Sequence, residues 1–98
     1  MAVLMRMDWK GVSPEQYDEL RKVVNWEGNK PAGALSHVTA FDADGAHVND
    51  TWESAEALQA FLDARLLPGC AQVGLPGQPD VIVMPAYAVY IPGITDAP

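Results

Sequence analysis

Residues 33–53, GALSHVTAFDADGAHVNDTWE, decide the fold: two β-patterned runs flank a DADG turn. Asp44-Gly45 is a strong short hairpin signal, because both central residues of a type I′ turn need φ > 0. A two-residue Asp44-Gly45 loop pairs Ala43 with Ala46, setting Thr39 opposite Asp50 and His37 opposite Trp52. A four-residue loop over 42–45 pairs Phe41 with Ala46 and sets His37 opposite Asp50. In both registers Leu35, His37, Thr39 and Phe41 share a face with Val48, Asp50 and Trp52, since directly opposed residues point the same way. Only a three-residue bulged loop breaks this grouping. A base, a carboxylate and an indole therefore converge on an otherwise apolar sheet surface.

Working outward, residues 2–8 read as a first strand, with Val3, Met5 and Met7 on one face and Leu4 and Arg6 on the other. A helix signal follows. Ser13 can cap, Pro14 suits the first helical position, and Gln16 completes a capping box by reaching back to the Ser13 N–H. Tyr17, Leu20, Val23 and Val24 form its apolar stripe, and Glu15, Asp18, Glu19, Arg21 and Lys22 its wet side, so the helix is predicted to end near Asn25. Beyond the hairpin, Ser54 opens a second helix whose buried stripe is Leu58, Phe61, Leu62 and Leu66. Pro68-Gly69 stops or kinks it, with another turn over 71–73. Residues 74–79 read as loop and 80–84 as a further strand, continued over 86–91. Pro85 cannot donate to a ladder, which implies an edge, a break or a bulge there. The order is β-α-β-β-α-β, the ferredoxin-like α+β arrangement, with two helices on one face of an antiparallel sheet.

The bulk composition bounds the rest. The 98 residues make one small domain, taken as 1–91 with a C-terminal tail over 92–98 that is expected to fray. A chain this short leaves much of its surface exposed, so covering a second sheet face in a homodimer would help. Thirteen acidic residues against six basic ones give a net charge of −7, which makes nucleic acid and anionic membrane surfaces poor partners. Cys70, the single cysteine, cannot form an intrachain disulfide, and a reduced, cytoplasmic compartment is the simplest expectation. Residues 1–7 are too short for a signal-peptide core, and no stretch approaches the roughly 20 apolar residues of a membrane span.

The element order, the junction 50–57 (DTWESAEA) and Phe61 one turn on resemble the dimeric α/β-barrel superfamily, and within it the small proteins grouped with antibiotic-biosynthesis monooxygenases. The resemblance covers about residues 2–91. It implies two sheets packed across a dimer axis and ligand cavities between sheet and helices. It also implies a range of activities: cofactor-independent oxygenation of aromatic polyketides, haem degradation, cyclisation and isomerisation. The Trp-x-Ser-x-Glu-Ala pattern over 52–57 belongs mainly to the fold and identifies no reaction. The haem-degrading branch relies on a histidine from the second helix, and residues 54–67 contain none.

Two readings of the His37 and Asp50 pair stay open. In one, His37 is a general base near neutral pH and Asp50 orients its ring; in the other, the pair is a cross-strand hydrogen bond satisfying two buried polar groups. No nucleophile motif accompanies it, because Ser36 points to the opposite face and Cys70 lies in a Pro-Gly region, so a hydrolase triad is not expected. Trp52, Phe41, Tyr17 and Phe61 suit a flat aromatic substrate, with core packing the first reading for Phe41 and Phe61. Arg6 and Arg65 are the cations placed to meet an anionic ligand, against a default of solvated or salt-bridged arginines. Metal ligation is not expected, since His37 and His47 alternate to opposite faces, and no Gly-rich phosphate loop is present. The expectation is an enzyme without flavin, haem or metal, acting on an aromatic or polyketide-like small molecule as a monooxygenase, cyclase or isomerase. His37 is then the base, Asp50 its orienter, and Trp52, Tyr17, Arg65 and Phe41 bind substrate. The alternative is a non-catalytic ligand-binding or assembly dimer of the same fold.

Overall fold

The computed structural model describes residues 1–93, so most of the tail expected over 92–98 lies outside the described residues. β1 (Val3–Lys10), α1 (Pro14–Val24), β2 (Ala34–Asp42), β3 (Gly45–Trp52), α2 (Ala55–Phe61), α3 (Leu67–Val73) and β4 (Asp80–Pro85) follow one another, with a π-helical turn over Leu62–Leu66 joining α2 to α3. The four strands form one antiparallel sheet in the order β2-β3-β1-β4. This is the ferredoxin-like α+β fold.

The local chemistry explains the boundaries. At the start of α1, Ser13 Oγ accepts from Gln16 N–H at 3.2 Å while Gln16 Oε1 accepts from Ser13 N–H at 2.9 Å, closing the capping box. Asn25 ends the helix in the left-handed conformation at φ 56° and returns its N–H to the Arg21 carbonyl. Ser54 caps α2 by accepting from Ala57 N–H. Pro68 has no N–H for an α-helical bond, and the chain accommodates it through a π turn in which Leu67 N–H bonds the Leu62 carbonyl. The second helical segment is thus bent ahead of Pro68 and continues to Val73. Gly69 is where α3 crosses α1, because a Cβ there would lie 2.5 Å from Val24 Cγ2.

The hairpin adopts the register of the four-residue loop, pairing Phe41 with Ala46 and His37 with Asp50. Asp42 and Gly45 close the ladder, so the type I′ turn centred on Asp44-Gly45 does not form. Asp42 Oδ1 instead accepts from Asp44 N–H at 2.9 Å and Gly45 N–H at 3.3 Å, an Asx turn that needs no positive φ at Ala43 or Asp44. Gly45 is required for a different reason: at φ 140° any Cβ would fall 2.3 Å from the Trp9 carbonyl oxygen. A bulge between Ala34 and Ser36 leaves Leu35 unpaired at the other end of β2.

The core lies between the helices and the inward face of β1 and β3. Val3, Met5, Met7 and Trp9 alternate inward from β1 to meet Leu20, Val24, Leu58, Phe61, Leu66 and Cys70. Burial pushes the Cys70 thiol up to about 11, which removes it as a nucleophile. Beyond Pro85 the expected strand over 86–91 is absent. Ala86 N–H still reaches the Ala2 carbonyl, but β1 supplies no partner further out, since its ladder starts at Val3 opposite Pro85. β4 is an exposed edge from end to end. The sheet face turned away from the helices carries Val38, Ile82 and Met84, all exposed, among polar neighbours such as Arg6 and Asn49. No helix among the described residues is long and apolar enough to cross a membrane.

Candidate active site

Five side chains from three elements join in one hydrogen-bonded chain. Trp52 and Asp50 are two apart on β3 and so project inward together, and the ladder sets His37 of β2 directly opposite Asp50. Asp50 is buried, at 6 % exposure, and both its oxygens are used: Oδ1 accepts from His37 Nδ1 at 2.7 Å and Oδ2 from Trp52 Nε1 at 3.2 Å. A carboxylate has no hydrogen to give, so Nδ1 carries one, and in the neutral imidazole Nε2 keeps its lone pair. Nε2 lies 2.7 Å from Tyr17 Oη on the inward stripe of α1 and 3.0 Å from Thr39 Oγ1, which in turn donates to Tyr17 Oη at 3.0 Å. Burial raises the Tyr17 phenol above its ordinary 10.0, against the lowering effect of the Thr39 hydrogen bond, so Tyr17 keeps its hydrogen and offers it to His37.

This chain borders a cavity of about 220 Å³ beneath the helices. Its walls are mostly apolar, with Met5, Met7, Leu20, Leu35 and Phe61 beside Trp52 and Trp26, and its charged or ionisable lining is Asp50, His37, Tyr17 and Lys30. A second, more open groove of about 390 Å³ lies outside it, between Asp18, Arg21, Glu27 and Phe41. Tyr17, Trp26, His37 and Thr39 line both spaces and so form the wall between them. Arg21 and Glu27 close a two-point ion pair on the groove's rim. An apolar chamber with one imidazole, one phenol and one buried carboxylate on its wall suits a flat, largely apolar molecule bearing an acidic hydrogen.

The residues singled out from sequence are dispersed differently from one another. His37, Asp50, Trp52 and Tyr17 come together as described. Phe41 does not enter the core: it is 37 % exposed, sits on the groove side and flanks the Tyr17 ring at 5.8 Å. The reason is its place on β2, an edge strand of the sheet: its ladder partner Ala46 on β3 is buried, while Phe41 lies at the sheet's margin. Arg65 is not on the cavity wall. Its guanidinium donates to the Val24 and Asn25 carbonyls at 2.8 and 3.2 Å, where it complements the C-terminal end of α1, and it lies 5.4 Å over the Phe61 ring. Arg6 points to the opposite sheet face. His47 also lies on that face, between Asp8 at 2.6 Å and Asp42 at 2.8 Å, and these two carboxylates raise it above 6.5. Among the described residues no three His, Cys, Asp or Glu side chains are grouped to hold a metal.

Two wall residues escaped sequence reasoning. Trp26 packs its ring 5.1 Å from His37 and 5.7 Å from Tyr17. The signal that points to it is Asn25, a helix-ending residue that tolerates the left-handed conformation and turns the following side chain back over the sheet. Thr39 was recognisable by alternation as a face-mate of His37, but nothing in the pattern reveals that its hydroxyl reaches Tyr17.

No protein-family model matches the sequence and no curated protein is significantly similar to it. Solved structures do match. Rv0793 of Mycobacterium tuberculosis shares 21 % identity at a TM-score of 0.64, over 91 % of this chain and 98 % of that one. A candidate antibiotic biosynthesis monooxygenase from Chloroflexus aurantiacus shares 19 % at a TM-score of 0.67, over 92 % and 97 % of the two chains. SnoaB, a cofactor-independent oxygenase from Streptomyces nogalater, shares 16 % at a TM-score of 0.60, over 90 % and 93 %. The chain has the fold of these antibiotic-biosynthesis-monooxygenase-like structures. At these identities the likeness is one of fold, and the reaction has to be argued from the site.

Proposed function

We propose that this protein is a cofactor-independent enzyme, a monooxygenase or a cyclase or isomerase, that deprotonates an aromatic or polyketide-like small molecule through His37. The observation that carries this reading is the state of His37: its Nδ1 is held by a buried carboxylate, leaving Nε2 as an acceptor at the wall of an apolar cavity. The substrate's hydrogen passes to Nε2 and the electron pair stays on the substrate, spread over its conjugated rings. Asp50 orients the imidazole and stabilises the imidazolium. Trp52 and Tyr17 contact the substrate inside, and Phe41, on the groove side, supports the Tyr17 ring from behind. The resulting anion then reacts with dioxygen or rearranges. That SnoaB, of the same fold, is a cofactor-independent oxygenase supports the oxygenase branch. The protein acts as a homodimer built through the face bearing Val38, Ile82 and Met84, whose exposure supports such a contact.

Turnover of polycyclic phenols, followed by oxygen uptake and product analysis, tests the reading. His37→Gln is expected to remove turnover while the melting temperature stays close to wild type. The rival reading, ligand binding without turnover, draws on the full satisfaction of Nε2 by Tyr17. It predicts that both proteins bind the phenols and neither converts them, with His37→Ala, which leaves Asp50 without its donor, lowering stability while ligand binding is largely unchanged.

A further inference from the structure

His37 Nε2, Tyr17 Oη and Thr39 Oγ1 form a triangle with edges of 2.7, 3.0 and 3.0 Å. With the imidazole hydrogen on Nδ1, the triangle has two hydrogens for three edges. Thr39 donates to Tyr17, Tyr17 donates to Nε2, and the edge between Thr39 and Nε2 holds none. Protonation of His37 changes the count. Nε2 then bears a hydrogen and can no longer accept, so the Tyr17 hydrogen must leave that edge. Tyr17 Oη can accept from Nε2–H and from Thr39 together, which leaves its own hydrogen free to point away from both. Conjugation keeps a phenolic hydrogen in the ring plane, so this is a half-turn about the C–O bond. The ring itself is held between Trp26 at 5.7 Å and Phe41 at 5.8 Å and does not need to move.

We infer that Tyr17 is a catalytic residue coupled to His37: its hydrogen passes to Nε2 along the 2.7 Å bond already in place while Tyr17 Oη takes the substrate's acidic hydrogen, so the same arrangement is reached and the Tyr17 O–H ends directed at the substrate oxygen on which negative charge develops. This rests on the reading of His37 as the base. The bond to the substrate's acidic hydrogen and the original Tyr17 O–H bond break, a new O–H bond on Tyr17 and the N–H bond on Nε2 form, and the electron pair remains on the substrate. No redox partner enters the step. Thr39 is a positioning residue that holds Tyr17 Oη through the transfer. The substrate class narrows accordingly to molecules whose acidic hydrogen is on, or conjugated with, an oxygen: phenols, enols and enolisable ketones.

The test uses 2-naphthol bound to the full-length protein at a fixed pH. The ratio of bound naphtholate to naphthol is read by absorbance and the His37 ring state by ¹⁵N NMR. Naphtholate and a His37 imidazolium are expected to appear together. Tyr17→Phe is expected to lower the ratio roughly tenfold or more, the effect of one hydrogen bond to a charged acceptor, while naphthalene, which has no oxygen, binds both proteins alike. If 2-naphthol does not bind, or ionises without an imidazolium at His37, the base reading fails and this inference with it. If both ions form together and Tyr17→Phe leaves the ratio unchanged, the inference about Tyr17 alone is overturned. Should Tyr17→Phe not fold, 3-fluorotyrosine at position 17, a stronger donor, is expected to raise the ratio, and an unchanged ratio overturns the inference.

Discussion

Replacing Asp50 with asparagine tests the centre of the site. In the native protein, Asp50 accepts from His37 Nδ1–H and Trp52 Nε1–H through different oxygens. Asparagine keeps one acceptor and presents an NH₂ to the other partner. The network has a way to absorb this. Trp52 donates to the amide oxygen, the amide NH₂ donates to His37 Nδ1, and the imidazole hydrogen moves to Nε2, where Tyr17 Oη and Thr39 Oγ1 are within reach to accept it. Every buried group then keeps a partner, but two hydrogen bonds to a charged acceptor become neutral ones. At about 1 kcal/mol of difference per bond, the cost is about 2 kcal/mol, reduced because a neutral amide is less costly to bury than a carboxylate. For a domain of this size that lowers the melting temperature by at most roughly 8–16 °C. Asp50→Ala leaves both donors orphaned at roughly 1–3 kcal/mol each, so the order of stability is wild type, then Asn, then Ala. Function follows a different order. In Asp50→Asn the Nε2 lone pair is gone, and a histidine locked in the wrong tautomer loses about 10⁴-fold in turnover, so both variants are expected to be inactive. Denaturant melts give the stability order, and ¹⁵N–¹H correlation spectra of the imidazole give the tautomer. An Asp50→Asn protein whose His37 still carries its hydrogen on Nδ1 would refute this account of the network.

Three further outcomes follow from residues away from the cavity. Arg65→Met removes the donor to the Val24 and Asn25 carbonyls and is expected to cost about 1–2 kcal/mol in denaturant melts; ligand affinity should not change, since Arg65 is not on the cavity wall. His47 is raised above 6.5 by Asp8 and Asp42, so its charged form favours the folded state. That stabilisation is complete below pH 6.5 and is lost as pH rises through the raised value, and a urea midpoint measured against pH should show this decline in wild type and not in His47→Gln. Light scattering at micromolar concentration should give twice the 10.6 kDa chain mass, and Val38→Glu should shift it toward one chain.

The fold was legible because its signals are local and mutually consistent. The Ser13–Gln16 capping box, the inward alternation of Val3, Met5 and Met7 and the apolar stripe of α1 each depend on residues a few positions apart. The DADG turn left two registers open, and the Asp42 side chain selects between them by satisfying the Asp44 and Gly45 N–H groups. An error arose where a more distant partner decides. The chain over 86–91 has strand-forming residues, but a strand needs a ladder, and β1 has ended by then.

The site divides along the same line. Alternation alone puts His37, Thr39, Asp50 and Trp52 on one face, because a period of two holds along β3 and along β2 beyond its bulge. It cannot reveal which inward residues stay under the helices, and so Phe41, on the edge strand β2, falls outside the core. Arg65 illustrates the converse. A lone arginine near a helix stripe suggests an anion site, whereas the π turn ahead of Pro68 presents it to the carbonyls that end α1. What sequence could not supply is the join between α1 and the sheet. Tyr17 reaches His37 only because the helix docks with its stripe over β2, and that single contact turns a cross-strand pair into a chain running from a buried indole to a phenol. In that chain each donor has a defined acceptor, so the protonation of one member has to be answered by the movement of another's hydrogen. A cross-strand pair serving only to satisfy the core has no need of that property. A base that must return a proton after each turnover does.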